Sequence, residues 1–351
     1  MWELMPIKLN IFNIDKPIEQ STKHIYTWDK DIITKPIKDC NRKLICNFWN
    51  NFYNVTDDYK HNYSPSSFDN IFQDDILFFI EDSNQIIGTI IGKVRPFISL
   101  KSSFNIVIVD FLCVHPKFRS KGIATKLIQS LAYWFEHNLG LNIHIFHREL
   151  SKCPFWTLSN SIYWISEINI SKIYNSTFLQ KTFKPEKNIF SNFKTNNFLH
   201  NYRKTFQTIP EPKLNKQSLQ TLLNIYSLIS SQNWNYKITW TSIEDFISWI
   251  LKPHRTIINF DSYFAILEDP YIITNKGKLG EIIWTSGAEL QQKYENNWFQ
   301  SIHNSGFFAV IWADSVLNPT PKSLSKSYSG SSYYYLNNFN YIPNSSILLF
   351  S

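Results

Sequence analysis

Apolar residues recur along the chain at two spacings, one typical of amphipathic helices and one typical of strands. In the first half, intervals of three and four residues predict helices over 41–52 and 121–139, and Gly140 follows the second where a C-terminal cap is wanted. Apolar runs bounded by turn residues predict strands over 76–81, 85–94, 106–115 and 141–146. The main elements of this half therefore follow in the order β-β-β-α-β, which is typical of an α/β domain.

The second half repeats this pattern. A helix is predicted over 215–230, and another from Thr241 to Leu251, where Thr241 and Glu244 have the spacing of a capping box. A third helix is predicted over 288–304. Strands are predicted over 262–267, 279–286, 307–312, 333–337 and 347–350. We therefore expect a second α/β unit of similar size.

The composition supports a folded chain of two units. Its 351 residues exceed what one hydrophobic core usually supports. Hydrophobic residues make up 43% and aromatic residues 17% of the chain, which is enough apolar material to exclude disorder over most of its length. The net charge of +7 suits an anionic partner, but it does not choose between a nucleic acid, a membrane and a phosphorylated cofactor.

The cysteines and the apolar stretches indicate the compartment. The four cysteines are scattered, without a CxxC pair or a histidine-rich neighbourhood, so we expect neither a disulfide scaffold nor a metal site. This usage is typical of a reducing compartment. The N-terminus lacks the pattern of a signal peptide, and the best apolar stretch, 106–114, is interrupted by Asp110. We therefore expect a cytoplasmic protein without membrane insertion.

A short basic motif follows the predicted strand 106–115. Residues 119–124 have the pattern R-x-x-G-x-A and lie between this strand and the next helix. Backbone N–H groups and the helix dipole converge at such a place and bind anions. Gly122 lets the backbone approach a ligand closely, and Arg119 and Lys121 add positive charge. A basic turn that only caps the helix explains the motif about equally well.

The sequence around this motif resembles a known family. An R-x-x-G-x-A pattern after a strand resembles the pyrophosphate loop of the GNAT acyltransferases. Residues 110–121, D-F-L-C-V-H-P-K-F-R-S-K, closely resemble the N-F-L-C-V-H-x-x-L-R-S-K segment of the N-myristoyltransferases. Further segments resemble that family in the same order, namely 2–6, 26–29, 53–58, 63–65, 163–164, 306–314 and 333–339. The resemblance extends over nearly the whole chain.

The resemblance implies an α/β (α+β) fold of two fused GNAT-like units that share a saddle-shaped mixed β-sheet. Residues 1–30 would form an arm over CoA, 31–170 the N-terminal unit that binds acyl-CoA, and 171–351 the C-terminal unit that binds peptide. The implied reaction transfers myristate from myristoyl-CoA, the co-substrate, to the N-terminal glycine of a protein or peptide, without a metal. A monomer is implied. Nucleic-acid binding is disfavoured, because CoA phosphates account for the one basic cluster.

The resemblance also implies a catalytic apparatus. In the family, two backbone N–H groups form an oxyanion hole and the C-terminal carboxylate is the base. The matching groups are the N–H groups of Phe111 and Leu112 and the terminal carboxylate of Ser351. Such donors stabilise a developing negative charge by about 3–4 kcal/mol each, and a bulge in the strand would release them from the ladder. Otherwise Phe111 and Leu112 are ordinary buried strand residues, and Ser351 is a frayed chain end.

Binding residues for both substrates follow from the same resemblance. Those for CoA are Trp2, Leu112, Cys113, Val114, Arg119, Ser120, Lys121, Gly122, Ile123 and Ala124. Those for the peptide are Asp57, Asp58, Tyr59, Tyr63, Asp110, His147, Tyr163 and Asp314, and His61 would line the same groove. A solvated acidic turn is an equally good interpretation of Asp57 and Asp58. Between Leu267 and Ala288 the chain is shorter than the family, and Thr285 is only a candidate there.

Three positions depart from the family pattern. Asp110 replaces an asparagine and adds negative charge where the glycine ammonium would bind, which strengthens amine binding, supplies a second base or slows attack. His147, aligned with a threonine, is either a proton acceptor or an ordinary histidine at a strand end. Ile165 replaces a histidine and removes one peptide contact. Two other functions therefore stay open: an N-acetyltransferase with another acyl donor, and a relative that binds acyl-CoA or an acylated N-terminus without turnover.

Overall fold

The computed structural model of the chain describes residues 16–17, 26–53, 59–72, 74–149, 158–167, 216–240, 242–260, 263–274, 276–286, 302–303, 305–314, 327–337, 339–340 and 347–349. The α-helices in these ranges are α1 (Arg42–Phe52), α2 (Pro65–Ile71), α3 (Ile123–Leu139), α4 (Lys216–Ser231) and α5 (Ile243–Ile250). Short 3₁₀ turns occupy Ile37–Asp39 and Pro116–Phe118.

The strands of the first half are β1 (Lys16–Pro17), β2 (Ile33–Pro36), β3 (Tyr59–His61), β4 (Ile76–Asp82), β5 (Gln85–Ile98), β6 (Ser103–Val114), β7 (His144–Glu149) and β8 (Ser159–Glu167). Those of the second half are β9 (Tyr236–Ile238), β10 (Arg255–Phe260), β11 (Tyr263–Glu268), β12 (Ile272–Thr274), β13 (Gly277–Thr285), β14 (Ala309–Asp314), β15 (Ser327–Asn337), β16 (Phe339–Asn340) and β17 (Ile347–Leu349).

One sheet runs through both halves of the chain. Its main path has the order β10-β11-β13-β14-β8-β15-β7-β6-β5-β4-β2, with β3, β9, β12 and β17 attached beside it. β15 lies between β7 and β8 and so joins second-half to first-half strands. Most neighbours are antiparallel, but β6–β7, β9–β17 and β13–β14 are parallel. The mixed α/β fold expected from the sequence is thus confirmed, whereas the domain boundaries stay a prediction.

Helices cover both faces of the first-half strands. α3 packs on one face, and its core includes Ile90, Val107, Leu131 and Phe135. α1 and α2 pack on the opposite face. Their core is built around Trp49 and includes Phe68, Phe79, Ile91 and Phe111. α3 approaches β5 closely because Gly92 has no side chain: a Cβ at this position would overlap the ring of Phe135. A separate core lies beneath α4 and α5.

The helices predicted over 41–52, 121–139, 215–230 and 241–251 are present, with small shifts at their starts. α3 begins at Ile123 rather than at Lys121, because Ser120 and Gly122 have φ angles of +63° and +80° and form the turn before it. Gly140 ends the same helix in the left-handed conformation, as expected. The sequence therefore locates the body of α3 correctly and its first turn two residues too early.

The start of α5 corrects the predicted cap. The hydroxyl of Ser242 accepts the N–H of Asp245 at 3.2 Å, so the cap is Ser242 and not Thr241. Among the strands, β7 begins at His144 rather than at 141. The strands that were not predicted are β1, β2, β3, β8, β9, β10, β12 and β16. The predicted helix 288–304 lies outside the described residues except for 302–303, which are helical. No helix in the described ranges is long and apolar enough to cross a membrane.

Candidate active site

β6 contains a bulge shortly before its end. The ladder between β5 and β6 skips two residues, Phe111 and Leu112, which lie between the pairs Thr89–Cys113 and Ile91–Asp110. Two residues of β6 therefore face one residue of β5. β7, the other neighbour of β6, pairs only with residues 107–109 and does not reach the bulge. The structure thus contains a bulge at Phe111 and Leu112, whereas the role of their N–H groups stays a prediction.

A chain of buried hydrogen bonds holds the bulge. Phe111 has a φ angle of +52°, an uncommon conformation for a residue with a bulky side chain. The hydroxyl of Thr89 donates to the carbonyl oxygen of Phe111 at 3.1 Å, and Nε1 of Trp49 donates to the same hydroxyl oxygen at 3.0 Å. Thr89 and Trp49 are fully buried. Because each of these polar groups has a partner, the uncommon backbone conformation is fixed from behind.

The carboxylate of Asp110 accepts a hydrogen bond from one of the two N–H groups expected to form the oxyanion hole. Its Oδ1 accepts the N–H of Phe111 at 2.7 Å and the hydroxyl of Tyr53 at 3.3 Å. The N–H of Phe111 is therefore already used in this structure. The second oxygen, Oδ2, has no hydrogen bond to the described residues. A carboxylate held by one oxygen can present the other to a positively charged group.

Aromatic side chains surround the bulge, and we call four of them the aromatic wall: Tyr53, His61, Tyr63 and Tyr271. The ring of Tyr53 stacks on that of Phe111, with centroids 4.8 Å apart. The hydroxyl of Tyr63 is 3.0 Å from Nδ1 of His61, and the two rings are also stacked. Burial, and then the charge of Asp110, keeps the pKa of Tyr63 well above its usual value. The hydroxyl of Tyr63 therefore stays protonated and neutral.

Tyr271 brings the second half of the chain to this site. β12 pairs with β3, and the carbonyl of Tyr271 accepts the N–H of Asn62 at 2.8 Å. The ring of Tyr271 lies 6.0 Å from that of Tyr63. Burial raises the pKa of its hydroxyl as well. The aromatic wall is thus built from both halves of the chain.

The basic motif forms an open turn between the end of β6 and the start of α3. Nε of Arg119 donates to the carbonyl of Val114 at 3.3 Å, and Nζ of Lys121 lies 4.8 Å from the centroid of the Phe118 ring. Gly122 is the N-cap of α3 and makes no side-chain capping bond. Arg119, Ser120 and Lys121 are exposed around it. This turn has the donors and the charge that an anionic phosphate needs.

Gly88 allows α3 to start close to the sheet. A Cβ at this position would lie 2.7 Å from Cγ2 of Ile123 and 3.1 Å from Cδ1 of Leu127. The first turn of α3 therefore rests on β5 next to Cys113, whose carbonyl oxygen is 3.7 Å from the same point. The absent side chain brings the start of α3 and the end of β6 together.

The end of the predicted arm is fastened to α3. Nζ of Lys126 forms ion pairs with Asp29 at 3.0 Å and Asp31 at 3.2 Å. The N–H of Asp31, and then Lys126, lower the pKa of Asp29. Trp28 packs against Tyr133 of the same helix, with ring centroids 6.3 Å apart. Residues 26–31 are therefore attached to the helix that follows the basic motif.

The cysteines of the described ranges lack the features of a nucleophile. Burial raises the pKa of Cys113 to about 12, and those of Cys40 and Cys46 to about 11. All three are free thiols that stay protonated at neutral pH. This is compatible with transfer that does not pass through an acyl-cysteine. Within the same ranges, no group of histidine, cysteine and carboxylate side chains could hold a metal ion.

Other predicted site residues lie elsewhere. Trp2, Asp57, Asp58 and Ser351 lie outside the described residues. For Tyr59, Tyr163 and Asp314 the backbone is described, in β3, β8 and β14 respectively. His147 is exposed on β7 and pairs with Tyr334 of β15. Thr285 is buried at the end of β13 opposite Ala265.

Four residues of the site carry no assigned role in the sequence: Trp49, Tyr53, Thr89 and Tyr271. Tyr53 is the first residue of the segment 53–58, which resembles the family, so that resemblance was a usable signal. Thr89 is one polar residue within an apolar strand pattern, and such a residue needs a buried partner. Tyr271 follows β11, and its hydroxyl accepts a hydrogen bond from the side-chain amide of Asn70 at 3.5 Å. The two residues are about 200 positions apart in the sequence, so no local pattern connects them.

Comparison with known proteins defines the class of this site. Residues 45–152, which include the bulge and the basic motif, match the model of the acetyltransferase (GNAT) family. This segment is therefore similar to the domain of the GNAT acyltransferases. None of the curated proteins matches the chain significantly in sequence.

The fold as a whole is similar to that of a particular acyltransferase. The crystal structure of Saccharomyces cerevisiae N-myristoyltransferase with bound myristoyl-CoA superposes with a TM-score of 0.62, covering 100% of this chain and 98% of the other, at 12% identity. Another structure of the yeast enzyme, with bound myristoyl-CoA and inhibitors, gives a TM-score of 0.63 at 13% identity, covering 97% and 90%. At this identity the similarity concerns the fold.

Proposed function

We propose that the protein transfers the tetradecanoyl group of myristoyl-CoA to the N-terminal glycine amine of a polypeptide. The observation that carries this proposal is the bulge at Phe111 and Leu112, which is followed within ten residues by the open turn at Gly122. An acyl-CoA needs both features at once, a polar backbone site for the thioester carbonyl and a cradle for the pyrophosphate. The similarity in fold to an enzyme with bound myristoyl-CoA supports this choice of donor.

In the proposed reaction the amine nitrogen attacks the thioester carbonyl carbon directly. A carbon–nitrogen bond forms, the carbon–sulfur bond breaks, and CoA leaves as the thiolate. The N–H of Leu112 and the turn around Gly122 would hold the donor. The ammonium gives its first proton to the terminal carboxylate of Ser351 before the attack, and the new amide nitrogen gives its second proton to the departing thiolate, which yields CoA as the thiol. A carboxylate can take the first proton because burial next to an ammonium brings the two proton affinities together.

Asp110 would bind the acceptor amine. Its Oδ1 is held by Tyr53 and by the N–H of Phe111, which leaves Oδ2 for the ammonium. A charge-assisted hydrogen bond of this kind is stronger than the one an amide oxygen makes. The same contact removes the N–H of Phe111 from the oxyanion hole. The negative charge at position 110 would thus favour acceptor binding at the expense of one donor to the thioester oxygen.

The test is intact mass spectrometry of a glycine-starting peptide incubated with the protein and myristoyl-CoA. An alanine-starting peptide is the matched control, and acetyl-CoA is the alternative donor. We expect the mass of one tetradecanoyl group to be added to the glycine peptide alone. Addition of acetyl instead would make the protein an N-acetyltransferase, and tight binding of myristoyl-CoA without any transfer would make it a non-catalytic binder.

The role of Asp110 has its own variant. Asp110→Asn keeps an acceptor oxygen for Phe111 but removes the charge, so we expect the KM for the glycine peptide to rise about tenfold, equivalent to about 1.4 kcal/mol. The affinity for myristoyl-CoA should not change. Asp82→Asn, at an exposed turn between β4 and β5, is the control. An unchanged KM in Asp110→Asn would exclude the proposed amine contact.

A further inference from the structure

A group of buried charges lies on the face of the sheet that carries the bulge. Lys93 and Arg95 extend from β5, and Lys252 follows α5. We call these three residues the cation cluster. Lys93 is 4% exposed, whereas Lys252 and Arg95 are half-buried and open the cluster to solvent. Its members come from both halves of the chain.

The carboxylates near the cation cluster do not neutralise it. Glu268 is committed to Arg255, whose Nε is 2.6 Å from Oε2, and Nη1 of Arg255 also donates to the carbonyl of Trp249. Asp75 is 1% exposed, and its nearest cation is Arg95 at 3.9 Å. Both carboxylate oxygens of Asp75 are buried without a hydrogen-bond partner. The cluster therefore sets three cations against one loosely placed carboxylate.

Two of the three cations lack a polar partner. Within the described residues, the side-chain ammonium groups of Lys93 and Lys252 form neither a hydrogen bond nor an ion pair. Nζ of Lys93 lies only over the ring of Phe72, 5.3 Å from its centroid. Burial first, and then the charges of Arg255, Lys93 and Arg95, lower the pKa of Lys252 to about 8, so this lysine is still largely charged at neutral pH. A buried charge without a partner is costly, and a bound anion would remove that cost.

His254 adds a neutral donor or acceptor to the same place. Burial first, and then the neighbouring cations, lower its pKa to about 2, so its ring is uncharged. Its Nδ1 is buried without a hydrogen-bond partner. Its Nε2 is 3.8 Å from Oε2 of Glu268. An unpartnered ring nitrogen next to unpartnered ammonium groups is a built polar site that no group of this chain fills within the described residues.

The register places the cation cluster next to the bulge and away from the basic motif. Ile91 pairs with Asp110, and Lys93, two residues further along β5, pairs with Ile108. These two residue pairs are therefore about 7 Å apart along the strands. Side chains two residues apart share a face, and Ile91 belongs to the core that includes Phe111. The open turn lies in the opposite direction along β6. It follows Val114, which is six residues, or about 20 Å, from Ile108.

We propose that the cation cluster binds an anionic side chain, a carboxylate or a phosphate, of the acceptor polypeptide. This inference rests on the proposed function, because it takes the bulge as the position of the acceptor amine. An extended chain rises by about 3.3 Å per residue, so a span of about 7–13 Å corresponds to side chains two to four residues beyond the first. The anionic side chain would therefore be at position three, four or five of the acceptor.

The experiment measures binding and needs no turnover. Fluorescently labelled glycine-starting peptides carry glutamate or glutamine at position three, four or five, and their dissociation constants are compared by anisotropy. For the wild-type chain we expect the glutamate peptide to bind at least tenfold more tightly at one of these positions. The ratio should fall below twofold in Lys252→Gln and in Arg95→Gln, whose side chains are half-buried and not needed for the core. Lys101→Gln, an exposed lysine in the turn after β5, should keep the full ratio.

The outcomes separate this inference from the proposed function. Equal binding of glutamate and glutamine peptides at all three positions overturns the cation cluster as an acceptor site, even if glycine peptides are acylated. A charge preference that survives Lys252→Gln and Arg95→Gln overturns it as well. A preference that depends on these residues supports it, even if no acyl transfer is found. Stabilisation of the wild type by inorganic phosphate, without any peptide preference, would mean that the cluster binds a free anion only and would overturn the acceptor assignment.

Discussion

The bulge and the cation cluster lie in neighbouring rows of the same two strands, yet they treat polar groups in opposite ways. Around the bulge, the indole of Trp49, the hydroxyl of Thr89 and the carbonyl of Phe111 form one continuous chain of hydrogen bonds. In the cation cluster, the side-chain ammonium groups of Lys93 and Lys252 have no polar partner among the described residues. The polar groups behind the bulge are thus paired with one another, whereas the cation cluster has more positive than negative charge.

This difference separates two tasks of a binding site. A strained backbone must be held before any ligand arrives, because the chain itself has to stabilise it. A charged pocket can remain unsatisfied at some cost in stability, because the ligand recovers that cost on binding. The bulge therefore has the energetics of a scaffold, and the cation cluster has those of a recognition site. Substitutions that remove a polar group should consequently lower the free energy of unfolding at the bulge and raise it in the cation cluster.

The largest effect is expected for Thr89→Val, which has nearly the shape of threonine but no hydroxyl. Two buried groups, Nε1 of Trp49 and the carbonyl of Phe111, would lose this partner, and we expect a loss of about 2–4 kcal/mol in the free energy of unfolding. Denaturant unfolding measures it. Acyl transfer should fall more steeply than stability, because the bulge itself relaxes.

Thr34→Val is the matched control for this substitution. The Oγ1 of Thr34 in β2 is buried without a hydrogen-bond partner, so its removal should be neutral or slightly stabilising. If Thr89→Val were as harmless as Thr34→Val, the chain of hydrogen bonds behind the bulge would not be what holds it.

A smaller effect of the opposite sign is expected for Lys93→Met. Methionine has a similar length and fits an apolar site, so removal of the unpartnered charge should raise the free energy of unfolding by about 1 kcal/mol. The contact with Phe72 offsets part of this gain. Lys101→Met, at an exposed position, should change little. A loss of stability in Lys93→Met would indicate that the ammonium is satisfied and that the contrast between the two regions is wrong.

The smallest effect concerns pH. In the folded chain the pKa of Lys252 is lowered to about 8, mainly by burial, whereas in the unfolded chain it returns to its usual 10.5. Between these values the unfolded chain holds the additional proton, so this lysine makes stability rise with pH. The effect should stay below about 1 kcal/mol, because the half-exposed side chain is screened by water.

The raised pKa values of Tyr63 and Tyr271 act in the other direction, so the comparison must be made between wild type and Lys252→Gln. From about pH 7.5 to about pH 9.5, stability should improve more in the wild type than in the variant. Parallel pH profiles of the two proteins would mean that Lys252 titrates normally in the folded chain.

The sequence predicts the bulge region well because its signal is local. The string around Phe111 and the motif ending at Ala124 are continuous in the chain, and a strand followed by a glycine turn and a helix can be recognised from spacing alone. Even there one contact is missed. That Asp110 would accept the N–H of the next residue depends on the backbone angle at Phe111, which no residue pattern encodes.

The cation cluster is not recognisable from the sequence, because its members are about 160 residues apart and are surrounded by ordinary strand and turn residues. The strand β10 is missed for a related reason. It lies at the end of the sheet path, and Arg255 and Asn259 interrupt its apolar run. What brings Lys252 to Lys93 is the packing of the second half against β5, and such packing leaves no periodic trace.

The lack of a side chain at Gly92 couples the two ends of α3 mechanically. The helix has 17 residues and is about 25 Å long, and Phe135, which fills the space over Gly92, lies about 18 Å from the first turn at Ile123. Any group that pushes Phe135 away from β5 would tilt this helix and so move the basic turn at Gly122, at its other end. The thickness of the layer between β5 and α3 therefore sets the position of that turn relative to β6.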